Sequence, residues 1–371
     1  MIKSISKLKS RGIDPPFLIL VGVLVIFGLL ILYSASLSLG NKRFDNPNYY
    51  FKEQLLKGVL IGLVGFGLAL KVPYQFFKKY SFIFLIASIA LLILVFLPDV
   101  GFAFGGARRW VKLGPIFFQP AEIVKLTFLI YLAAWFEARR KDIGSAFGGL
   151  VPFLIIIGII GVLLLAQPDM GTFGVIALSG LAMYWVAGGR NRHLGFIIAL
   201  GIISFFALAW IAPYRWQRIT VFLNHLENPQ GSGYHINQAL SAIGIGGIGG
   251  VGVGKARSST YLPEAAGDSI FAVLAEELGL LGVSVTMLLY LFFGVRGYQL
   301  ARQSPDYFSR LLTVGVISWI LIQSFINIAS ISGSFILTGV PLPFISYGGT
   351  ALSTTLIAVG IVANISKYRT T

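Results

Sequence analysis

Long runs of apolar residues alternate along the chain with short polar segments. Four of these runs, 17–37, 82–97, 151–165 and 194–211, approach or exceed the roughly 20 apolar residues that a helix needs to cross about 30 Å of hydrocarbon. None shows the two-residue alternation of a membrane β-strand, so the runs predict helices. The pattern predicts about ten transmembrane helices, over 17–38, 55–72, 79–98, 119–138, 148–166, 171–188, 192–213, 268–295, 309–332 and 348–366.

The composition agrees with lipid as the solvent of the fold. Hydrophobic residues make up 56% of the 371 positions, charged residues only 12%, and the mean hydropathy is +0.83. The first apolar run has no small-residue cleavage site before Gly40, which favours a retained helix over a removed signal peptide. The sequence therefore predicts an all-α polytopic membrane protein with a single membrane domain over residues 1–371.

The ionisable residues limit the chemistry that the chain can carry. The absence of cysteine excludes disulfides, thiolate metal sites and thiol catalysis. A net charge of +15 could suggest nucleic acid, but the basic residues lie in short clusters between apolar runs, where membrane topology and anionic lipid explain them better. No P-loop, dinucleotide fingerprint or HExxH motif supports ATP-driven transport or a common organic cofactor, and the three histidines have no metal-site spacing.

The distribution of basic residues predicts the orientation. With a cytoplasmic N-terminus, the inside segments hold 17 of the 29 lysines and arginines, so the positive-inside rule favours both termini in the cytoplasm. These residues are Lys3, Lys7, Lys9, Arg11, Lys71, Lys78, Lys79, Arg139, Arg140, Lys141, Arg190, Arg192, Arg296, Arg302, Arg310, Lys367 and Arg369.

One extracytoplasmic loop, residues 214–267 between the seventh and eighth predicted helices, is much longer than the others. Long loops inside a compact fold are usually functional or disordered. The segment 236–248 is apolar enough to pack on the helices, and 244–254 contains seven glycines. The loop is therefore predicted to form a folded cap with mobile turns.

Several ionisable groups are predicted near the outer ends of helices, where each is a candidate for function. Glu122 and Lys125 lie three residues apart at the start of the fourth helix and share one face. They either neutralise one another in the bundle or shape a polar cavity. Asp169 lies in a tight turn before the sixth helix, where capping of that helix is the favoured interpretation.

The long loop and the helix after it carry the strongest candidates. Tyr214, Arg215 and Arg218 suit phosphate oxygens, because arginine gives bidentate charge-assisted hydrogen bonds, but they equally suit anchoring at lipid headgroups. Asp268 stands at the start of the eighth helix, where the helix dipole favours an anion and no local partner neutralises it. It is either catalytic or a helix cap.

Two further segments indicate structure. Glu276 and Glu277 lie about two turns deeper than Asp268, and burying both as anions without partners would be costly, so at least one is predicted to pair inside the protein. The segment 339–350 is rich in proline and glycine and predicts a rigid re-entry into the last helix.

In these segments the chain resembles the SEDS family (shape, elongation, division and sporulation), whose members are multi-pass membrane peptidoglycan glycosyltransferases. The stretches 261–264 and 252–254 resemble division-type (FtsW-like) members more than elongation-type (RodA-like) members. Many members have Thr-Asp-Phe where this chain has Gly267, Asp268 and Ser269, so the carboxylate is retained and both neighbours differ. The resemblance covers nearly the whole membrane region, through 108–110, 118–125, 167–172, 218–223, 233–254, 262–279 and 341–349.

This resemblance implies polymerisation of lipid II into glycan strands at the outer face of the cytoplasmic membrane, for septal wall synthesis in cell division. It implies that Asp268 is the catalytic base or the ligand of a divalent cation, Mg²⁺ or Mn²⁺. It also implies a class B penicillin-binding protein, a transpeptidase, and other division-complex membrane proteins as partners. The candidate substrate-binding residues are Arg108, Arg109, Glu122, Lys125, Arg215, Arg218 and Glu264.

Three alternatives stay open from the sequence. One is a flippase that moves lipid II across the membrane, because intramembrane carboxylates and glycine-broken segments also fit a transporter. The others are an elongation-type polymerase and a noncatalytic scaffold for other wall enzymes. A transporter is expected to hold its ionisable groups near the bilayer midplane, whereas a polymerase of this kind needs them at the outer ends of the helices.

Overall fold

Apolar helices make up most of the protein, as a computed structural model shows for residues 12–104, 107–114 and 116–370. Ten helical segments within these ranges correspond to the ten predicted spans. Seven are long and apolar enough to cross a membrane, and Ser81–Leu94 and Met170–Val186 are shorter apolar helices. The tenth, Pro120–Ala138, is 19 residues long and carries Glu122, Lys125 and Glu137. The polytopic all-α membrane fold is therefore confirmed.

The helices are numbered here in chain order, with the short helices of the loops included. They are α1 (Pro15–Phe44), α2 (Tyr49–Glu53), α3 (Ile61–Lys71), α4 (Tyr74–Lys79), α5 (Ser81–Leu94), α6 (Pro120–Ala138), α7 (Val151–Ala166), α8 (Met170–Val186), α9 (Asn191–Ile211), α10 (Pro213–Leu223), α11 (Tyr234–Gly246), α12 (Ser258–Tyr261), α13 (Ile270–Arg302), α14 (Tyr307–Ile331) and α15 (Gly349–Ser366). Two π-helical segments, Gln54–Leu60 and Ala146–Leu150, run directly into α3 and α7.

A small antiparallel sheet between α5 and α6 was not predicted. Its strands are β1 (Gly101–Phe104), β2 (Ala107–Leu113) and β3 (Ile116–Phe118), in the order β1-β2-β3. In β2, Ala107 and Val111 are buried and Arg108 and Lys112 are exposed, which is the two-residue alternation of a half-buried strand. This weak signal was available in the sequence, but the strands are short and lie between two strong helical patterns.

The two ends of the described chain lie at the same end of the bundle. Asp14 caps α1 by accepting the N–H of Phe17 (3.0 Å), and it forms an ion pair with Arg296 near the end of α13. Arg369 donates to the carbonyl oxygen of Gly12 (3.1 Å). We call this end, marked by Asp14, Arg296 and Arg369, the termini face, and the opposite end the cap face. The predicted inside residues Lys3, Lys7, Lys9 and Arg11 lie outside the described residues.

The centre of the bundle is formed by α14 and α15. In each of these helices, 78% of the residues in the most apolar stretch of 18 are buried within the protein. Around them, α14 packs against α6, α8 and α13, and α15 packs against α3. Helix α9 is peripheral, because Ala209 is its only buried residue. Its apolar side chains therefore face the surrounding lipid.

Helix α13 is interrupted inside the membrane at Gly279, whose φ of 63° and ψ of −161° are not helical. The N–H groups of Leu280 and Leu281, just after the break, donate to the carbonyl oxygens of residues 247 and 248 (2.9 and 3.2 Å). In the other direction, the N–H groups of residues 251 and 252 donate to the carbonyl oxygens of Glu276 and Glu277 (2.9 and 3.0 Å). The glycine-rich segment thus replaces the hydrogen bonds that the break removes.

The cap loop also supplies backbone hydrogen-bond donors to the two buried glutamates. The Glu276 carboxylate accepts the N–H groups of Arg257 and Ser258 (3.0 and 3.1 Å), and the Glu277 carboxylate accepts the N–H of Gly254 (3.1 Å). Both carboxylates therefore pair inside the protein, as predicted for at least one of them. Their partners are neutral donors, so these glutamates tie the cap loop to α13.

The contact between α11 and α13 gives a stability test. A Cβ added at Gly246 would overlap the carbonyl oxygen of Ala275, whereas nothing lies within 4 Å of a Cβ at Gly244 in the same helix. We expect Gly246→Ala to destabilise the fold by about 1–3 kcal/mol, because the two backbones must separate. Gly244→Ala is the matched control and should be neutral or stabilising by up to about 1 kcal/mol.

The measurement is the thermal unfolding midpoint of both variants and the wild type in the same detergent. Equal midpoints for the two variants would contradict the close approach of α11 to α13.

Candidate active site

Asp268 lies on the cap face, in a tight turn that leads into α13. The turn is closed by the carbonyl oxygen of Glu264, which accepts the N–H groups of Gly267 and Ser269 (2.8 and 3.1 Å). Glu264 has a φ of 50°, an uncommon conformation for a residue with a side chain. The turn thus holds Asp268 at the entrance to the helix by backbone contacts.

The segment between α14 and α15 fixes this turn from the other side. Ser346 donates its hydroxyl to the carbonyl oxygen of Gly267 (2.8 Å), and the N–H of Tyr347 donates to the carbonyl oxygen of Ala266 (2.8 Å). The predicted rigid re-entry at 339–350 therefore serves as a support for the residues just before Asp268.

Asn327 of α14 completes the support. Its Nδ2 donates to the carbonyl oxygens of Asp268 (2.7 Å) and Val340 (2.8 Å), and its side chain is almost fully buried. Asn327 was not predicted as a site residue from the sequence, since one amide among apolar residues gives no signal of its partners. Its contacts make it a residue that positions the backbone of Asp268.

The carboxylate of Asp268 is not a helix cap. The N-cap position of α13 is Ser269, which makes no capping hydrogen bond with its side chain. No hydrogen bond to the Asp268 carboxylate occurs among the residues that the structure describes. Its Oδ2 lies beside the backbone of Gly339, because a Cβ added at Gly339 would be 3.1 Å from this oxygen. The carboxylate therefore keeps its acceptor positions for another molecule.

Four charged side chains act on this carboxylate. The pKa of Asp268 is raised to about 6, because burial and the negative charges of Glu264 and Asp169 raise it more than the positive charges of Arg109 and Arg218 lower it. A carboxyl group with this pKa exchanges its proton close to neutral pH. The site thus combines a carboxyl group that exchanges its proton close to neutral pH with two positively charged side chains.

Arg109 reaches the site from β2. Its Nε donates to the carbonyl oxygen of Gln167 (3.3 Å), and its guanidinium also bonds the carbonyl oxygen of Pro168. Arg108 is exposed on the opposite face of the strand, because neighbouring residues of a strand point to opposite sides. The structure therefore brings Arg109 towards Asp268 and leaves Arg108 on the outer surface of the sheet.

The two arginines of α10 also separate. Arg218 donates to the carbonyl oxygen of Leu337 (2.9 Å), and burial together with the charge of Arg109 lowers its pKa. Arg215 donates to the carbonyl oxygens of Leu165 (3.1 Å) and Leu208 (3.4 Å), near the ends of α7 and α9. Arg218 is close enough to Asp268 for its charge to lower the pKa of that carboxyl group, whereas Arg215 holds α10 to the transmembrane helices.

Glu122 and Lys125 form an ion pair of 2.8 Å inside the bundle, with relative exposures of only 1% and 2%. Lys125 also donates to Oε1 of Gln323 (2.8 Å), and Nε2 of Gln323 donates to the carbonyl oxygen of Pro341 (2.8 Å). The pair therefore neutralises itself, which was one of the two interpretations, and it links α6 through α14 to the segment that supports Asp268.

Two other polar contacts border the site. Asp169 caps α8 by accepting the N–H of Thr172 (3.2 Å), as predicted, and its other carboxylate oxygen is buried without a hydrogen-bond partner among the described residues. His235 of α11 lies 2.6 Å from the hydroxyl of Ser269, and burial and Arg218 lower its pKa. No local sequence pattern indicates this second contact, because the two residues are 34 positions apart.

The fold and this site define a class: polytopic membrane proteins with a carboxylate and two arginines at one end of the bundle, under a folded cap loop. The chain belongs to the FtsW, RodA and SpoVE family of cell cycle proteins, whose model matches residues 16–371.

Similar proteins span almost the whole chain. It is 38% identical to the stage V sporulation protein E of Bacillus subtilis, over 97% of this chain and 98% of that one. It is 36% identical to the probable peptidoglycan glycosyltransferase FtsW of Geobacter sulfurreducens, over 95% of each. A chain from the structure "Structural coordination of polymerization and crosslinking by a peptidoglycan synthase complex" aligns with a TM-score of 0.80 and 28% identity, over 96% of this chain and 98% of that one.

The raised pKa of Asp268 has a consequence for stability. Its folded-state pKa of about 6 is above its ordinary value of 3.8, so ionisation costs stability above about pH 6, and the cost disappears below about pH 4. Asp268→Asn removes the ionisation. We expect it to raise the free energy of unfolding at pH 7.5 by about 3 kcal/mol, since the pKa shift from 3.8 to about 6 is about two units and one unit is about 1.4 kcal/mol.

The measurement is the thermal unfolding midpoint at pH 7.5 and pH 4, with Glu227→Gln as a control on an exposed carboxylate of the cap loop. A gain of Asp268→Asn that is equal at both pH values would contradict the assignment.

Proposed function

We propose that the chain is a peptidoglycan glycosyltransferase that polymerises lipid II into glycan strands at the outer face of the cytoplasmic membrane. The observation that carries this proposal is the carboxylate of Asp268 on the cap face, which is held by backbone contacts of its turn, has a raised pKa and is acted on by the charges of Arg109 and Arg218. The names of the curated FtsW relatives support the same activity.

In the proposed reaction, the 4-hydroxyl of one lipid-linked disaccharide attacks the anomeric carbon of another. The new bond forms between that oxygen and that carbon, and the bond from the carbon to the pyrophosphate oxygen breaks with its electron pair. Asp268 accepts the proton of the attacking hydroxyl, which suits a base with a pKa of about 6. Attack from the face opposite the leaving group inverts the configuration.

The arginines are proposed to stabilise the leaving pyrophosphate. One terminal nitrogen of Arg218 donates to the carbonyl oxygen of Leu337. A guanidinium has five N–H donors in a fork that matches phosphate oxygens, so other donors of Arg218 are left for the pyrophosphate. Arg109 offers the same chemistry from β2. Both cations are in place before the reaction, so they stabilise the developing charge without reorganisation.

The other candidate residues take more distant roles in this proposal. Glu264 flanks Asp268 and raises its pKa, whereas Glu122, Lys125 and Arg215 position the elements around the site. Arg108 lies on the exposed face of the sheet and could reach only the outer parts of a bound substrate.

A divalent cation is the remaining part of the proposal. The described residues form no group of three or more potential metal ligands. Mg²⁺ commonly binds through one or two carboxylates together with substrate phosphates, so Asp268 would hold such an ion only jointly with the pyrophosphate. The ion would neutralise charge on the leaving group.

The cellular role is proposed to be septal wall synthesis, as the FtsW names indicate, with both termini in the cytoplasm and a class B penicillin-binding protein as partner. The similarity to a chain of a peptidoglycan synthase complex supports a crosslinking partner. The SpoVE relative favours a second candidate role, wall synthesis during sporulation.

The positions of the polar groups fit a transporter less well than they fit a polymerase. Asp268, Arg109 and Arg218 lie on the cap face, and several deeper ionisable residues have partners within the protein. Lys125 pairs with Glu122, and Glu276 accepts backbone N–H groups. A lipid II flippase needs polar groups that contact the cargo near the midplane.

The activity test is glycan-strand formation from lipid II by the purified protein in complex with its cognate transpeptidase. We expect Asp268→Ala to reduce polymerisation by at least about 100-fold, since it removes the proposed base, and Glu227→Ala to leave it unchanged. Both variants must be matched to wild type in yield, unfolding midpoint and complex formation. Polymer formation by Asp268→Ala at the wild-type rate would overturn the assignment.

The pH dependence gives an independent test of the same residue. Polymerisation should fall as the pH drops through about 6, because Asp268 becomes protonated. Glu264→Gln removes a negative charge that raises this pKa, so the acidic limb should move to lower pH. The measurement is the initial rate between pH 4.5 and 8, and a limb that moves to higher pH in Glu264→Gln would contradict the proposed electrostatics.

A further inference from the structure

A buried glutamine links the start of the second membrane span to the segment that supports Asp268. Gln54 begins the π-helical segment that runs into α3, and its relative exposure is only 1%. Its Oε1 accepts the N–H of Gly348 (2.9 Å), and its Nε2 donates to the carbonyl oxygen of Ser346 (3.3 Å). Both sides of the amide therefore bond the backbone of residues 346–348.

Neighbouring residues hold the Gln54 side chain in place. A Cβ added at Gly58 would be 3.3 Å from Cδ of Gln54, so this glycine leaves room for the glutamine side chain. One turn before Gln54, the ring of Tyr50 packs edge-on against the ring of Tyr347, with centroids 5.0 Å apart. Single π-helical turns are rare and often occur at functional sites. The contact of this helix with residues 346–348 is therefore made by packing and by hydrogen bonds.

Residues 346–348 in turn hold the chain just before Asp268. The hydroxyl of Ser346 donates to the carbonyl oxygen of Gly267, and the N–H of Tyr347 donates to that of Ala266 (2.8 Å each). Gln54 bonds the residues on both sides of Tyr347. A shift of this segment would therefore displace the backbone of residues 266–268.

We infer that Gln54 is a positioning residue for the reaction, which fixes the Asp268 carboxylate through residues 346–348 without contacting the substrate. This inference rests on the proposed function of Asp268 as the base. A general base must lie within hydrogen-bond distance of the proton that it accepts, and a displacement of about 1 Å can lower a rate about 100-fold.

The competing interpretation is that Gln54 only satisfies backbone groups inside the membrane domain, as buried polar groups require. In that case its loss lowers the stability of the fold but leaves the surroundings of the Asp268 carboxylate unchanged. The two interpretations therefore differ in the chemistry of Asp268, which can be measured separately from stability.

The first test is kinetic, on the protein in complex with its cognate transpeptidase. Gln54→Met keeps the length of the side chain and removes both hydrogen bonds. We expect it to lower kcat at least about tenfold and to change KM less than about twofold, because the groups that bind the substrate stay in place. Gln299→Met is the control, since this exposed glutamine accepts a hydrogen bond from Arg296 (2.8 Å) at the termini face, and its kcat should equal that of the wild type.

The failure of this inference and that of the proposed function give different results. A wild-type kcat in Gln54→Met, under conditions where Asp268→Ala is inactive, would overturn the positioning role and leave the proposed function standing. Full activity of Asp268→Ala would overturn both. If Gln54→Met does not fold, Gln54→Asn takes its place, because its amide is one methylene shorter and cannot keep both partners.

The pH profile separates positioning from stability. Burial is the largest cause of the raised pKa of Asp268, so a displaced turn that admits water should lower this pKa. The charged groups that act on the carboxylate are Glu264, Arg109, Asp169 and Arg218. We expect the acidic limb of the rate per folded protein to move from about pH 6 to lower pH in Gln54→Met. A limb that stays at about pH 6 would overturn the inference.

An unfolding measurement gives a readout that requires no glycosyl transfer. In an otherwise wild-type chain, Asp268→Asn should raise the unfolding midpoint more at pH 7.5 than at pH 4, because it removes an anion that burial disfavours. In a chain that also carries Gln54→Met, this difference should fall to about half or less, because the carboxylate is better hydrated. An undiminished difference would overturn the inference.

Discussion

The break in α13 imposes the main constraint on the fold, because backbone groups that lose their partners inside a membrane cost several kcal/mol each. A helix can stop at Gly279 only if another backbone approaches closely enough to bond with it. The glycine-rich segment does so, since a Cβ at Gly250 or at Gly279 would overlap the facing backbone. Of the seven glycines between 244 and 254, this contact explains Gly246 and Gly250, because a Cβ at either position would overlap the backbone of α13.

The position of Asp268 follows from the same contact. Glu276 reaches from α13 to the N–H groups at the start of α12, and α12 leads directly into the turn at Glu264. Ser346 and Asn327 then hold this turn from α14 and the segment after it. The cap loop and the bundle therefore position the aspartate together, and neither could do so alone.

The membrane spans could be predicted well from the sequence because their apolar runs are long, and a long apolar run has few stable structures in lipid other than a helix. It predicted less of the site, since contacts between distant segments carry no local signal. Arg108 and Arg109 were both predicted to bind substrate, yet their neighbouring positions in β2 place them on opposite faces of the strand. Glu122 and Lys125 show the opposite case, in which the i, i+3 spacing predicted a shared face, and the structure shows the ion pair that was one of the two interpretations.

The arrangement around Asp268 keeps its carboxylate reactive at a cost in stability. Asn327 and Glu264 bond the backbone of the turn, so the geometry is fixed without occupying the carboxylate oxygens. Burial disfavours the anion, and Arg109 and Arg218 compensate only in part, which leaves the pKa near 6. A fully paired aspartate would be more stable, but its pKa would fall, and it would be a weaker base. The incomplete compensation is therefore what suits this residue to accept a proton near neutral pH.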